Sequence, residues 1–189
     1  KILLTSLAFL ILSSNILFAQ TKEFIGVIGA AIGDIKNKKD EILENGSKVY
    51  YGDTIVVSEK SNAQVLFLDQ TVITIGEKSE LTVDEFVYDP ETNDGKFVSN
   101  IKSGTIKIIT GEISKKDPDN LEIKIPTGTI GARGTEFVVL TESNNESTVV
   151  LLGPGPNNSL GMIPGNLEVS DGFNSIDITQ PGFQTVVTN

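Results

Sequence analysis

Two side chains that often carry catalysis are missing from this sequence of 189 residues, which has no His and no Cys. Thiol and imidazole catalysis, disulfides and the common zinc sites are therefore excluded. Carboxylates remain, but a pair for glycoside hydrolysis could be chosen from 25 acidic residues in many ways, so their presence selects no reaction. We therefore expect no enzymatic activity and no cofactor.

One short pattern resembles a serine hydrolase motif. Ser99 and Lys102 are spaced as Ser-x-x-Lys, and residues 102–104 loosely match the Lys-Thr-Gly of penicillin-recognising enzymes. Both matches use Lys102, which cannot fill two roles, and the segment is predicted to be a strand rather than the start of a helix. The pattern does not support a hydrolase.

The acidic segment 89–95 resembles a calcium loop. It contains Asp89, Glu91, Asn93 and Asp94, followed by Gly95. The glycine falls one place late, and no bidentate Glu follows at the required distance. We interpret the segment as the solvated tip of a hairpin and predict no metal site.

Arg133 is the only Arg beside 14 Lys, and Gly131 and Gly134 lie on either side of it. The planar guanidinium can satisfy several carbonyls or a carboxylate at once, which Lys cannot. The flanking glycines allow a close backbone approach and positive φ. We expect Arg133 to tie turns together through buried hydrogen bonds and the Thr135 hydroxyl to cap a turn locally; binding of an anionic ligand by Arg133 is the alternative.

The beginning of the sequence and its charge indicate the compartment. Lys1 precedes the uncharged run 2–18, and Ala19 follows, as in a secretory signal peptide. We predict cleavage after Ala19 and an exported protein, periplasmic or extracellular, with no stable membrane span after cleavage; an uncleaved anchor is the alternative. The net charge of −10 argues against nucleic acid as a partner.

Residues 20–189 are rich in strand-forming residues. Val, Ile and Thr account for 51 of these 170 residues and Ala for four, which favours strands over helices. Strands are predicted at residues 63–68, 71–75, 81–87, 96–101, 105–110, 123–125, 136–141, 148–152, 167–170, 175–179 and 184–187. A turn at Ser103 and Gly104 separates two of them, the best helix candidate is 40–44, and 153–165 is predicted to be a long surface loop. This spacing indicates an all-β fold, a sandwich, barrel or β-solenoid.

A series of short stretches resembles the FecR domain family, in order, over about residues 24–188. The matching stretches are 26–29, 33–35, 45–46, 49–55, 63–69, 73–81, 102–106, 126–127, 130–137, 167–169 and 179–182. Gln70 stands where the family usually has Gly, and Pro126 and Thr127 are exchanged. The most specific part is the Gly-x-Arg-Gly-Thr sequence of residues 131–135.

The resemblance implies a fold and a set of motif residues. It favours a twisted β-solenoid-like roll, formed by a single domain of residues 20–189 with its core at about 24–140 and closing strands at 148–188. We expect the matched motif residues to be mainly structural: Gly52, Asp53, Gly104, Thr127, Gly131, Arg133, Gly134 and Thr135.

The resemblance also implies a bacterial envelope protein. Related membrane regulators carry a cytoplasmic anti-sigma segment before a membrane helix, whereas the hydrophobic run here begins at Ile2. We therefore expect a free-standing exported FecR domain. The prediction is a non-catalytic module that binds a protein or another envelope component; the alternative is a periplasmic component of sigma-factor-linked signalling that acts with a separate membrane partner.

Overall fold

The computed structural model describes residues 23–153 and 165–188. The predicted signal segment and nearly all of the predicted loop 153–165 lie outside the described residues. Strands dominate the described part, which confirms the all-β prediction.

Fifteen strands, one short helix and one 3-10 turn form the described part. The strands are β1 (Phe24–Ile32), β2 (Ile35–Asn37), β3 (Lys48–Tyr50), β4 (Thr54–Val57), β5 (Asn62–Phe67), β6 (Val72–Ile75), β7 (Ser79–Tyr88), β8 (Gly95–Ile109), β9 (Leu121–Ile125), β10 (Gly128–Arg133), β11 (Glu136–Ser143), β12 (Glu146–Gly153), β13 (Asn166–Ser170), β14 (Ser175–Ile178) and β15 (Gln184–Thr188). The helix α1 (Glu112–Lys116) and the 3-10 turn (Pro118–Asn120) connect β8 to β9.

All strands belong to one open sheet that folds over into two half-sheets, both of which contain β8. The first half-sheet has the order β3-β1-β5-β6-β8-β11-β12-β15, and the second has the order β2-β4-β7-β8-β9-β10-β13-β14. Strand pairs are antiparallel, apart from the parallel pair of β8 and β9. Because the sheet is open, the fold is a roll rather than a closed barrel.

Strand β8 connects the two half-sheets, and here the sequence prediction is wrong. Instead of two strands and a turn, the chain continues as one strand of 15 residues. Ser103 pairs with Glu80 of β7 in the second half-sheet, whereas Gly104 pairs with Thr141 of β11 in the first. Gly104 has φ of +93°, and a Cβ atom there would lie 2.0 Å from the hydroxyl oxygen of Ser79. The glycine therefore bends the strand without ending it.

The inner faces of both half-sheets share one hydrophobic core. Within it, Phe67 of β5 stacks on Phe86 of β7 at 5.7 Å between ring centroids and contacts Phe97 of β8 at 4.8 Å with the rings tilted. Aromatic pairs at these separations stabilise a core beyond the burial of their area. The contacts join the two half-sheets directly.

The best helix candidate, 40–44, is not helical. Ile42 forms an isolated antiparallel bridge to Lys36 and is largely exposed, and only Leu43 of this segment packs against the core, so the segment lacks the apolar face that a helix would bury. The helix α1 was missed because it has only five residues and no side-chain cap; burial of Ile113 and Ser114 holds it in place. No helix of the described residues is long and apolar enough to cross a membrane.

Candidate functional site

Strand β10 carries most of the Gly-x-Arg-Gly-Thr sequence and lies between β9 and β13. Ile130 and Ala132 point into the core and are fully buried. Since side chains alternate along a strand, Thr129, Gly131 and Arg133 lie on the outer face. The outer face of β10 therefore presents the central residues of the signature to solvent.

The expected buried clamp at Arg133 is wrong. Its side chain is exposed, and within the described part of the chain the guanidinium has no hydrogen bond or ion pair. The physical reason is its position: strand alternation directs it away from Ala132 and the core. No described residue occupies the five N–H donors of the guanidinium at the end of β10.

Gly134 and Ser114, rather than Arg133, stabilise the signature turn. Gly134 has φ of +52°, a left-handed conformation that favours glycine, and its N–H donates to the Ser114 hydroxyl at 3.2 Å. The Ser114 hydroxyl in turn donates to the carbonyl of Ala132. These two bonds connect helix α1 to the residues directly before and after Arg133, Ala132 and Gly134.

Thr135 forms long-range bonds rather than the local cap that the sequence suggested. Its hydroxyl donates to the carbonyl of Gly153 at 2.6 Å, at the end of β12. Its N–H donates to the hydroxyl of Thr110 at 2.9 Å, and the Thr110 N–H donates back to its carbonyl at 3.0 Å. Thr135 is buried and joins β12 to the end of β8.

A shallow groove runs over the outer face of β10. Gly131 forms part of its floor, and a Cβ atom there would meet nothing within 4 Å. Glu122 of β9 and Glu168 of β13 are the register partners of Gly131 on its two sides. Asp119 in the 3-10 turn also lines the groove, and Arg133 lines one end.

The size and charge of the groove limit what it can bind. Its two sections have volumes of about 230 and 120 Å³. Each section is smaller than the roughly 300–1,000 Å³ of small-molecule pockets, and together they reach only the lower end of that range. Three carboxylates and a single guanidinium line it, which suits polar and cationic groups of an extended chain that stays partly hydrated. No cluster of potential metal ligands occurs among the described residues.

The FecR protein family model matches residues 53–153, more than half of the sequence. The chain belongs to the FecR family. No curated protein matches it. The family match begins at Asp53 and includes β10, so the groove lies within the part of the FecR protein that the family model covers.

The FecR protein shares its fold with two crystal structures of a putative anti-sigma factor from Parabacteroides distasonis ATCC 8503. Each aligns with a TM-score of 0.51 and 15% sequence identity, over 72% of this chain and 55% of that chain. The FecR protein thus spans about half the length of these neighbours.

The remaining predicted residues lie apart from the groove. Gly52, with φ of +75°, lies in the turn between β3 and β4, where an Asp53 carboxylate oxygen accepts a hydrogen bond from the Tyr50 N–H at 3.0 Å. Gly104 is at the bend of β8. Thr127 is buried in the turn between β9 and β10, and its hydroxyl has no hydrogen-bond partner among the described residues.

A buried polar cluster at Asp69 was not recognised from the sequence. The Asp69 carboxylate accepts bonds from the N–H and the hydroxyl of Thr71 at 3.0 and 2.7 Å. The Thr71 hydroxyl accepts from the Gly111 N–H, and the Asp69 carbonyl accepts from the Glu112 N–H at 2.7 Å. Burial raises the pKa of Asp69, although the bonds from Thr71 oppose the rise. The only sequence signal for this cluster was that Asp69 ends the stretch 63–69, which resembles the FecR family.

Proposed function

We propose that this FecR protein is a non-catalytic binding module of the bacterial envelope and that a partner protein binds in the β10 groove. The observation that carries the proposal is the exposed Arg133 guanidinium, which has no partner in the described part of the chain, at the end of a groove floored by Gly131. The surrounding bonds of Ser114 and Gly134 fix the backbone at Arg133, so binding has to order only its side chain and not the turn that carries it.

The shape of the groove favours a binding role over catalysis. Enzymes surround their substrates with pre-organised dipoles in sites that exclude water. Here the groove is shallow, and the space above Gly131 is open. A substrate would stay hydrated, and the carboxylates Glu122 and Glu168 would act on it in a largely aqueous environment.

The charges of the groove indicate the chemistry of the partner. Asp119, Glu122 and Glu168 favour Lys, Arg or backbone N–H groups, and Arg133 favours a carboxylate or carbonyl at one end. The net charge of −10 adds long-range attraction for a basic protein. An extended, predominantly basic segment of another envelope protein fits these features.

Crosslinking in cells tests the binding surface. A photoreactive phenylalanine analogue at Gly131 lies in open space, so the fold should tolerate it, and we expect it to crosslink one partner in the envelope. The same analogue at exposed Val87 is the control site. Arg133→Gln should reduce the Gly131 crosslink at least several-fold, whereas Lys39→Gln should leave it unchanged. Equal crosslinking from Val87 and Gly131 would contradict the proposal.

Export is part of the proposal and is supported by the uncharged run 2–18 and by Ala19. N-terminal sequencing of the protein from the envelope or the medium should give a mature start at Gln20. Recovery of the complete chain from the cytoplasm would contradict it.

Signalling is a second candidate function, and family membership favours it. The anti-sigma factor neighbours share the fold, so an analogous regulatory role is worth testing here. If the protein acts with a separate membrane partner in sigma-factor-linked signalling, its deletion should change the transcripts of a defined gene set, and the Arg133→Gln chain should not restore them. An unchanged transcriptome would leave only the binding role.

A further inference from the structure

Strand β15 (Gln184–Thr188) is an edge strand with no charged residue. It pairs with β12 on one side, and no strand of the described residues lies on its other side. From Ile178 to Asn189 the sequence contains no Asp, Glu, Lys or Arg. Natural sheets usually protect such an edge with charges, Pro or a covering segment, because an open edge is a template for another strand.

The other outer strands carry such protection. At β2, Lys36 is bridged by Ile42 from a covering loop. At β3, which has only three residues, the carboxylate of Asp53 accepts the bond from the Tyr50 N–H. Strand β14 contains the charged Asp177. Strand β15 is therefore the unprotected edge of the described sheet.

The backbone of β15 has three residues with outward-facing polar groups. The Leu151 N–H donates to the Phe183 carbonyl, which fixes the phase of the ladder with β12. Hydrogen-bonded positions alternate in an antiparallel pair, so Thr185 and Val187 face β12. The N–H and C=O groups of residues 184, 186 and 188 then point away from the sheet.

We propose that two copies of this FecR protein pair antiparallel along β15, with Val186 opposite Val186 of the second copy. In this register Gln184 lies opposite Thr188, and all outward-facing groups find partners in about six hydrogen bonds. Thr185 lies opposite Val187, so core-facing residues meet core-facing residues and exposed residues meet exposed ones. A two-fold axis thus joins the first half-sheets of both copies into one sheet.

Charge favours this edge over other surfaces for self-association. Two copies with net charge −10 repel each other over most of their surfaces, but β15 itself is neutral. Two acidic residues lie near the edge: Asp171, which lines the same pocket as residues 185–188, and Glu146 on the adjoining strand, the register partner of Thr188. Antiparallel pairing places the two copies of Glu146 at opposite ends, about 14 Å apart along the strands and beyond the screening length at physiological salt.

Exposed apolar side chains lie beside the edge. Val186, Phe183 and Leu152 are 50%, 60% and 42% exposed. Pairing would shield Val186 and part of its neighbours. Because a five-residue strand pair buries less area than a standard interface, the dimer should be weak, with a dissociation constant on the order of micromolar. It should tighten as salt screens the repulsion between the two acidic copies.

Charge reversal at Val186 tests both the dimer and its register. The protein, purified as secreted by its expression host, should show a monomer–dimer equilibrium in sedimentation equilibrium. Val186→Lys and Val186→Glu should each weaken dimerisation at least tenfold, since each variant places like charges opposite one another. An equimolar mixture of the two should restore it, because Lys then faces Glu.

The control is Val87→Lys, an equivalent change at an exposed position on β7, which should leave dimerisation unchanged. Thermal melts of each variant at a concentration where the protein is monomeric separate loss of pairing from loss of folding. A monomer at all concentrations would overturn the proposal, as would two Val186 variants that remain monomeric when mixed.

Discussion

Neighbouring residues of the signature have different roles. Arg133 is exposed on the outer face of β10, whereas Thr135, two residues later, is buried and bonded to Gly153 and Thr110. Gly131 leaves the groove floor open, and Gly134 supplies a left-handed turn. The proposed binding role and the structural role of the signature thus belong to different residues.

A pair of substitutions separates these roles. Thr135→Val should lower the free energy of unfolding by about 1–3 kcal/mol, because it leaves the Gly153 carbonyl without its donor. Arg133→Gln is the matched control, and its effect should stay within about 0.5 kcal/mol, as for other exposed positions. Urea denaturation of both proteins measures the difference. Similar destabilisation by both changes would mean that Arg133 has a structural partner.

The buried carboxylate of Asp69 should make folding stability depend on pH. Burial raises its folded-state pKa above the unfolded value of about 3.9. The contribution of Asp69 to the free energy of unfolding is therefore present in full below its pKa in the unfolded state. This contribution is lost as pH rises through its pKa in the folded state.

Comparison with Asp69→Asn isolates this effect from other carboxylates. The stability of the natural protein minus that of the variant should be largest at the acidic end of the range, near pH 3.5, and should fall as pH increases through the raised folded pKa. Urea denaturation between pH 3.5 and pH 8 measures this difference, provided that both proteins remain folded without denaturant throughout. A difference that grows with pH would mean that the bonds from Thr71 outweigh burial.

At the scale of elements, the bend of β8 at Gly104 decides how the two half-sheets join. The strand leaves β7 at Ser103 and pairs with β11 from Gly104 onward. The same region is linked to the signature turn through α1, because the Ser114 hydroxyl accepts from Gly134. The geometry of the β10 groove therefore depends on the path of β8.

Gly104→Ala should destabilise the fold more than a glycine substitution that only strains the backbone. Gly104 and Gly172 have nearly equal φ, +93° and +91°, but only at Gly104 would a Cβ atom collide with Ser79. Gly172→Ala should cost about 1–2 kcal/mol from backbone strain, and Gly104→Ala should cost at least 1 kcal/mol more from the collision. Thermal unfolding compares the two. Equal losses would mean that Ser79 moves aside freely.

At the scale of the whole molecule, stability rests on one core shared by two half-sheets. At the acidic tip, the Asp89 carboxylate accepts hydrogen bonds from the Glu91 N–H and the Thr92 hydroxyl. These bonds lower the pKa of Asp89, with that from Glu91 the strongest. Asp94 pairs with Lys116 at 2.6 Å. The tip is a hairpin end in which Asp89 bonds within the turn and Asp94 pairs with α1.

The melting temperature should therefore be the same with and without a metal chelator. A bound ion that the fold requires would stabilise it by mass action and would raise the melting temperature by several degrees. Differential scanning calorimetry in EDTA and in millimolar calcium makes the comparison. A clear fall in EDTA would mean that the acidic turns hold a cation.

Local patterns determined which segments became strands. Alternating apolar residues predicted β5, β6 and β7, and the scarcity of Ala together with abundant Val, Ile and Thr predicted the all-β class. Strand positions and fold class depend on residue types and on their alternation along the chain, so both can be predicted from the sequence. The signature residues were also recognised in the sequence, by their spacing and the resemblance.

Tertiary structure alone decided where the strands joined and which signature side chains were exposed. At Gly104 a turn and a bend require the same residue, and only the pairing of β8 with β7 and β11 distinguishes them. The glycines around Arg133 are compatible with either a buried or an exposed guanidinium. Because Ile130 and Ala132 of β10 face the core, the alternation of side chains along the strand places Arg133 on the outer face. The Asp69 carboxylate is bonded by Thr71, only two positions away. The Asp69 carbonyl, however, bonds to Glu112, and Thr135 bonds to Thr110 and Gly153, because long-range strand pairing, which no local pattern encodes, brings these segments together.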